Sequence, residues 1–287
     1  MIKVIATDLD GTLFNSEHKL DKETYETIIK AQNMGIRIII VTGRDYSSAM
    51  ISLKEYDLKC DYILASGAEI RNSDNTILHR IPMNRLYFPE IKKRLEKACV
   101  DVKFCSDGID YVIGNIDDVK ETLLNEARLF YFAGGKDEEI LNHYLFKEQM
   151  KRIQCFQNIE ELMQSEIPIY KIFISSHKLS EIEKAKEVLE DIPDIAMAAS
   201  FINNLELTNI NAQKGIVLKQ YIEELGYAMD EVMVLGDSMN DYSMLSMDFG
   251  MTVAMENGMD EIKKVSKYIT KRNDDLGVVH AIEKFVF

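Results

Sequence analysis

The run IRIIIV, residues 36–41, constrains the fold more than any other stretch of this 287-residue chain. A strand with one face in water alternates apolar and polar side chains. Here only Arg37 is polar, so the strand demands cover on both faces. Helical patterns stand on either side of it. Ahead of it, Asp21 takes an N-cap position, with Leu20 and Tyr25 placed as a hydrophobic staple. Ile28, Ile29 and Ala31 supply an apolar face, and Gly35 ends the helix. A helix around 45–55 follows, then a strand, YILAS, running into Gly67. With the opening strand KVIAT the order is strand–helix–strand–helix–strand, the pattern of a doubly wound parallel sheet in an α/β, Rossmann-like fold.

The same rhythm returns late in the chain. AQKGIVLKQYIEELG (212–226) reads as a helix closed by Gly226, EVMVLGD (231–237) as a strand ending on Gly-Asp, and MTVAM (251–255) and KYIT (267–270) as two more strands. Residues 1–82 and 209–287 therefore form one domain, and 83–208 an inserted α+β domain. In the insertion FPEIKKRLEKACVDVKFCSDGIDYVIG (88–114) and LSEIEKAKEVLEDIPDIAMAASFINNLELTN (179–209) each read as helix, strand, turn, strand. Two such units predict a small antiparallel sheet with helices on one face. The stretch 117–153 between them reads as mainly helical.

A net charge of −14 argues against nucleic acid or an anionic membrane surface as partner. An anionic substrate is admitted only where a local cation offsets that field. Cys60, Cys99, Cys105 and Cys155 show no C-x-x-C spacing and no histidine at metal-ligand spacing, so they read as reduced packing residues of a cytoplasmic protein. No signal peptide precedes the first strand, and apolar runs such as IIIV (38–41) are far too short to cross a bilayer. The five histidines (18, 79, 143, 177 and 280) form no cluster, and AGGK (133–136) lacks the residues of a phosphate-binding loop.

The chemistry lies at the strand ends. Asp8 and Asp10 stand two apart after the first strand. If the strand continues they face one way, roughly 7 Å apart along the chain, which is costly unless something positive sits between them. Taken alone, D-x-D-G reads equally as a turn. An EF-hand is excluded, because Gly11 is fourth rather than sixth and Lys19 stands where glutamate is needed. A hairpin is excluded because a helix follows. GDSMND (236–241) places Asp237 and Asp241 four apart after another strand, where a helix cap is the plain alternative. Alone, Lys214 is a surface lysine and Thr42 a strand-end hydroxyl. Together the signals mark one edge of one sheet, where such folds bind ligands.

That combination resembles the haloacid dehalogenase-like (HAD) superfamily, over the whole chain. D-L-D-G-T at 8–12 matches its first motif, Thr42 of VTGR its second, Lys214 of QKG its third and GDSMND its fourth. The insertion and the tail YITKRNDDLGVVHAI are similar to the Cof-like phosphatases, while Ser66 and Ser238-Met239 depart from that subfamily's usual residues. The resemblance implies an Mg²⁺-dependent phosphatase of small monoesters, sugar phosphates being the favoured class. Asp8 is the implied nucleophile and Asp10 the acid/base, with a pKa raised by neighbouring carboxylates. The implied Mg²⁺ ligands are Asp8, the main-chain carbonyl of Asp10, and Asp237, with Asp241 behind them orienting Lys214 or a metal-bound water. Thr42, the N–H groups of Leu9 and Gly43, Lys214 and Asn240 are the implied phosphate-binding groups. The insertion is the implied specificity cap, with Asp107 and Asn203 as candidate contacts. The expected partner is a small phosphorylated metabolite, with no nucleic acid or membrane, and a monomer is the default. A phosphomutase, a non-catalytic phosphosugar-binding regulator and a phosphate-accepting receiver module are the competing readings.

Overall fold

The structure, a computed structural model, describes residues 1–130, 132 and 135–287. Tyr131, Ala133 and Gly134, in the stretch read as mainly helical and in part in AGGK, lie outside the described residues. Its strands are β1 (Val4–Thr7), β2 (Arg37–Val41), β3 (Cys60–Leu64), β4 (Glu69–Arg71), β5 (Ile77–Arg80), β6 (Asp101–Cys105), β7 (Asp110–Ile113), β8 (Ile153–Phe156), β9 (Lys171–Ser175), β10 (Ile195–Ala198), β11 (Asn204–Asn209), β12 (Val232–Gly236), β13 (Met251–Ala254) and β14 (Tyr268–Ile269). They fall in two compact units, Met1–Ile81 with Asn211–Phe287, and Pro82–Ile210.

The first unit holds an eight-stranded sheet in the order β14-β13-β12-β1-β2-β3-β4-β5. All pairs from β14 to β3 are parallel. The unbroken apolar run of β2 is explained by its two covers. Ile38 and Ile40 join one core with Ile5, Leu235 and helix residues Ile28, Ala31, Ala281 and Ile282. Ile39 and Val41 join another with Ala6, Val234, Val217, Leu218 and Tyr221 on the opposite face. The helix Lys22–Asn33 begins at Asp21, whose side chain makes no cap bond to it and instead accepts from Asn15 Nδ2 at 2.8 Å. The antiparallel edge β4–β5 was not legible in the sequence, because all four side chains of β5 are exposed and show no alternation.

The second unit holds a sheet in the order β10-β11-β9-β6-β7-β8, antiparallel except for the β7–β8 pair. Strands β8 and β9 were not foreseen. Helices cover both faces rather than one. Tyr111 packs with Phe88, Ile91, Ile182 and Leu189, whereas its neighbour Val112 packs with Val119, Leu123, Ile140 and Phe146. Alternate residues of a strand point to opposite sides, so the middle helical stretch forms a second layer. No helix among the described residues is long and apolar enough to cross a membrane.

Candidate active site

Parallel register brings the strand ends together. Thr7 pairs with both Ile40 and Leu235, so Asp8 is level with Val41 and Gly236, and Thr42 and Asp237 stand one residue further along. The backbone of Asp8 is still tied to the sheet, its N–H donating to Leu235 O at 3.0 Å. The strand ends there. Leu9–Leu13 form one wide turn, closed by Leu13 N–H to Asp8 O (3.3 Å) and Phe14 N–H to Leu9 O (2.8 Å). Two-residue strand spacing therefore does not extend to Asp10, although its carboxylate still adds to the negative field at Asp8 and Asp237. Gly11 makes the turn possible. Its φ is 76°, and a Cβ there would sit 2.5 Å from Asp237 Oδ2.

Lys214, at the start of the helix Lys214–Glu224, is 1% exposed and reaches three acceptors. These are Asp8 Oδ1 (2.6 Å), Asp241 Oδ1 (2.6 Å) and Asn240 Oδ1 (3.0 Å). Burial alone would discharge the lysine, but Asp241 and Asp8 hold it firmly protonated. Asp241 is fully engaged, since its Oδ2 accepts the N–H groups of Asp237 (2.9 Å) and Ser238 (3.0 Å). Asp237 Oδ1 accepts from Thr12 Oγ1 at 2.9 Å. The ligand-capable oxygens of Asp8, Asp237 and Asp241 lie within 4.8 Å of one another.

Three carboxylates around one lysine leave excess negative charge. Burial, with Asp241 and Asp237 beside it, pushes Asp8 well above the usual carboxylate range against the pull of Lys214. Burial and Asp241 push Asp237 up to about 7. The second oxygens of Asp8 and Asp237 receive no hydrogen bond from the described residues. Hard anionic oxygens that are crowded, partly undonated and electrostatically unbalanced fit a small divalent cation. Asp241, with both oxygens already taken, fits a supporting place behind Lys214 and the Asp237 backbone.

Asp10 has different company. Arg44 forks onto it, Nε to Oδ2 at 2.7 Å and Nη2 to Oδ1, and His18 Nδ1 lies 3.2 Å from Oδ1. Burial pushes the carboxyl up, but the hydrogen bonds and charges of His18 and Arg44 outweigh it and hold Asp10 at about 2. The expectation of a raised Asp10 pKa is therefore corrected: its hydrogen-bond partners are His18 and Arg44, not carboxylates. Neither Arg44 nor His18 had been given a role. Arg44 stands in VTGR two residues after Thr42, which is the one signal that would have found it; His18 is brought in only by the fold of its loop.

Thr42 is buried, and its Oγ1 accepts Arg44 N–H at 3.2 Å, leaving the hydroxyl proton to donate. Gly43 lies between them. Ser66 N–H bonds Thr42 O at 3.0 Å, from a turn in which Ala65, Ser66 and Gly67 all have positive φ (48°, 61° and 111°). Asn240 also accepts from Ser238 Oγ at 2.9 Å. Leu9 is wholly buried. Asp107 and Asn203 belong to the second unit, in the turns before β7 and β11.

The profile of the haloacid dehalogenase-like hydrolases matches residues 5–282, and the chain belongs to that family. Phosphatase YwpJ of Bacillus subtilis (strain 168) is 28% identical, covering 98% of this chain and 99% of its own length. The phosphoglycolate phosphatase of Methanobrevibacter smithii is 30% identical, covering 99% of each. A solved haloacid dehalogenase-like hydrolase from B. subtilis superposes over 100% of both chains with a TM-score of 0.83 at 27% identity. With such relatives along its whole length, the protein is a Cof-like phosphatase, a phosphoric monoester hydrolase.

Proposed function

We propose that the protein is an Mg²⁺-dependent phosphatase of small phosphorylated metabolites, sugar phosphates or similar monoesters, working through an aspartyl-phosphate on Asp8. The observation that carries this reading is the buried Asp8 carboxylate, with one oxygen on Lys214 and the other undonated, inside the Asp8–Asp237–Asp241 group. Asp8, the main-chain carbonyl of Asp10, and Asp237 would hold the ion, which supplies a Lewis acid that offsets the charge of nucleophile and phosphate. Asp8 attacks phosphorus; the new O–P bond forms as the ester O–P bond breaks. Asp10 gives the departing alkoxide its proton. It then takes one from the water that attacks the phosphoenzyme, which breaks the Asp8–phosphorus bond and frees inorganic phosphate. The Arg44 fork suits the second step, where Asp10 must be ionised; for the first, Arg44 releases a carboxyl that has gained a proton. Thr42, Lys214, Asn240 and the N–H groups of Leu9 and Gly43 take the phosphoryl oxygens.

Among the relatives, one from B. subtilis is named a 5-amino-6-(5-phospho-D-ribitylamino)uracil phosphatase, at 27% identity over 99% of this chain. Such names support a small, polar monoester. We assign the choice among monoesters to the inserted domain, 83–208, in a cytoplasmic monomer. The test is hydrolysis of para-nitrophenyl phosphate and a panel of sugar phosphates with Mg²⁺ and with EDTA. Turnover that needs the ion is expected; undiminished turnover after exhaustive chelation would sink the metal-dependent reading.

Cation binding should also depend on pH. Asp237, at about 7 without a cation, binds a proton that the ion must displace. Apparent Mg²⁺ affinity should rise at least about tenfold per pH unit below that point, since Asp8, also raised, gives up its proton to the ion as well. The sign for stability is opposite. A carboxyl raised in the folded state contributes stability below its unfolded pKa, near 4, and loses it as pH climbs to about 7. The Mg²⁺-induced gain in melting temperature is thus expected to be larger at pH 8 than at pH 6, as read by differential scanning fluorimetry.

A further inference from the structure

The loop after β13 touches both acid-bearing segments. Met259 N–H donates to Asp237 O at 2.8 Å, and the chain runs so close at Gly258 that a Cβ there would lie 2.9 Å from the same oxygen. From this loop Asn257 Nδ2 donates to Gly11 O at 2.8 Å, the carbonyl directly after Asp10 in the catalytic turn. Asn257 Oδ1 accepts the N–H of Asn273 at 2.9 Å. Asn273 Nδ2 in turn donates to Phe14 O at 3.0 Å, and Asp274 Oδ1 accepts Ser16 N–H at 2.7 Å. The turn carrying Asn273 is closed by Gly277 N–H to Arg272 O at 3.0 Å, with Leu276 held at a φ of 58°. So two late segments, joined through Asn257 and Asn273, grip residues 11–16 at three points.

The need for that grip follows from Gly11. A glycine gives the turn its shape and leaves the adjoining peptide free to rotate. An amide side chain is the group that donates to a carbonyl on one side while accepting an N–H on the other. We infer that Asn257 is a positioning residue. It holds the Gly11–Thr12 peptide, one residue beyond the Asp10 carbonyl, in register with Asp237, whose backbone the same loop anchors, so that the Asp10 carbonyl and the Asp237 carboxylate meet one cation. This rests on the metal-dependent reading above. In the sequence Asn273 and Asp274 fall within the tail that resembles the Cof-like phosphatases, but no role is read there for them or for Asn257.

The experiment is calorimetric binding of Mg²⁺ to the metal-free full-length protein, with no substrate present, for wild type, Asn257→Ala and the similarly sized Asn257→Leu. Both variants are expected to bind Mg²⁺ about tenfold more weakly, the usual scale for residues that orient metal ligands. Their metal-free melting temperatures should stay within a few degrees of wild type, and saturating Mg²⁺ should restore most of kcat. Wild-type affinity in both variants overturns the inference, whatever happens to melting, because a merely structural asparagine moves melting and leaves affinity alone. A wild type that binds no divalent cation overturns the parent reading instead.

Discussion

Asp8→Asn is expected to abolish turnover, by roughly 10⁴-fold or more as for other covalent nucleophiles, while leaving the metal-free protein as stable as wild type or more so. The two effects have one origin. Asp8 is buried next to Asp237 and Asp241, and its ionised form is disfavoured there despite Lys214. A neutral amide of the same shape removes that repulsion. It still offers Lys214 an oxygen at the position where Asp8 Oδ1 accepts at 2.6 Å, and Lys214 keeps Asp241 as its counter-ion. What it cannot do is attack phosphorus or contribute charge to a cation. Trading stability for a crowded, charged centre is common at active sites. The checks are steady-state hydrolysis with Mg²⁺ and thermal melting in EDTA. Residual activity near a tenth of wild type would remove Asp8 from the nucleophile's role; a large loss of metal-free stability would refute the account of its charge.

The parts of the fold that could be read from sequence are those governed by burial. Strand β2 announced two covered faces by its composition, and Ile38/Ile40 and Ile39/Val41 do go to different cores. Helix ends marked by glycine were legible too, because Gly35 and Gly226 both take positive φ. Edge strands were not: β5 is exposed throughout and carries no pattern to find. The approach of Asp8, Lys214, Asp237 and Asp241 followed from chain order along a parallel sheet, which fixes which loops share an edge. Side-chain partners within the site did not follow. Whether Asp10 is hydrogen-bonded by Arg44 and His18 depends on where the Leu9–Leu13 turn leaves the strand and on how the loop carrying His18 folds back. Those are tertiary facts, and a single sequence records the residues without the turn.

Lys214→Met should be the most destabilising change at the site and also strongly inactivating. In the wild type its ammonium is wholly enclosed, with Asp8 and Asp241 each at 2.6 Å. Methionine fills much of the volume but leaves both carboxylates facing each other without a cation. Removing one partner of a buried pair costs about 3–5 kcal/mol, and the loss should fall near that range in EDTA at pH 8. At pH 6 it should shrink, since the freed carboxyls accept protons more readily, and Mg²⁺ should recover part of it through Asp8 and Asp237. Activity should not recover. The ion cannot replace the donor that the proposed function assigns to the phosphoryl oxygens, and removing a donor of that kind costs about 10²–10³ in kcat. Arginine is not a conservative rescue, because its planar fork needs room and acceptors that a fully enclosed ammonium site lacks. The decisive comparison is melting temperature in EDTA at the two pH values, set beside kcat with saturating Mg²⁺. Equal destabilisation at both would show that the lysine acts by packing; near-normal kcat would show that it does not touch the transferring group.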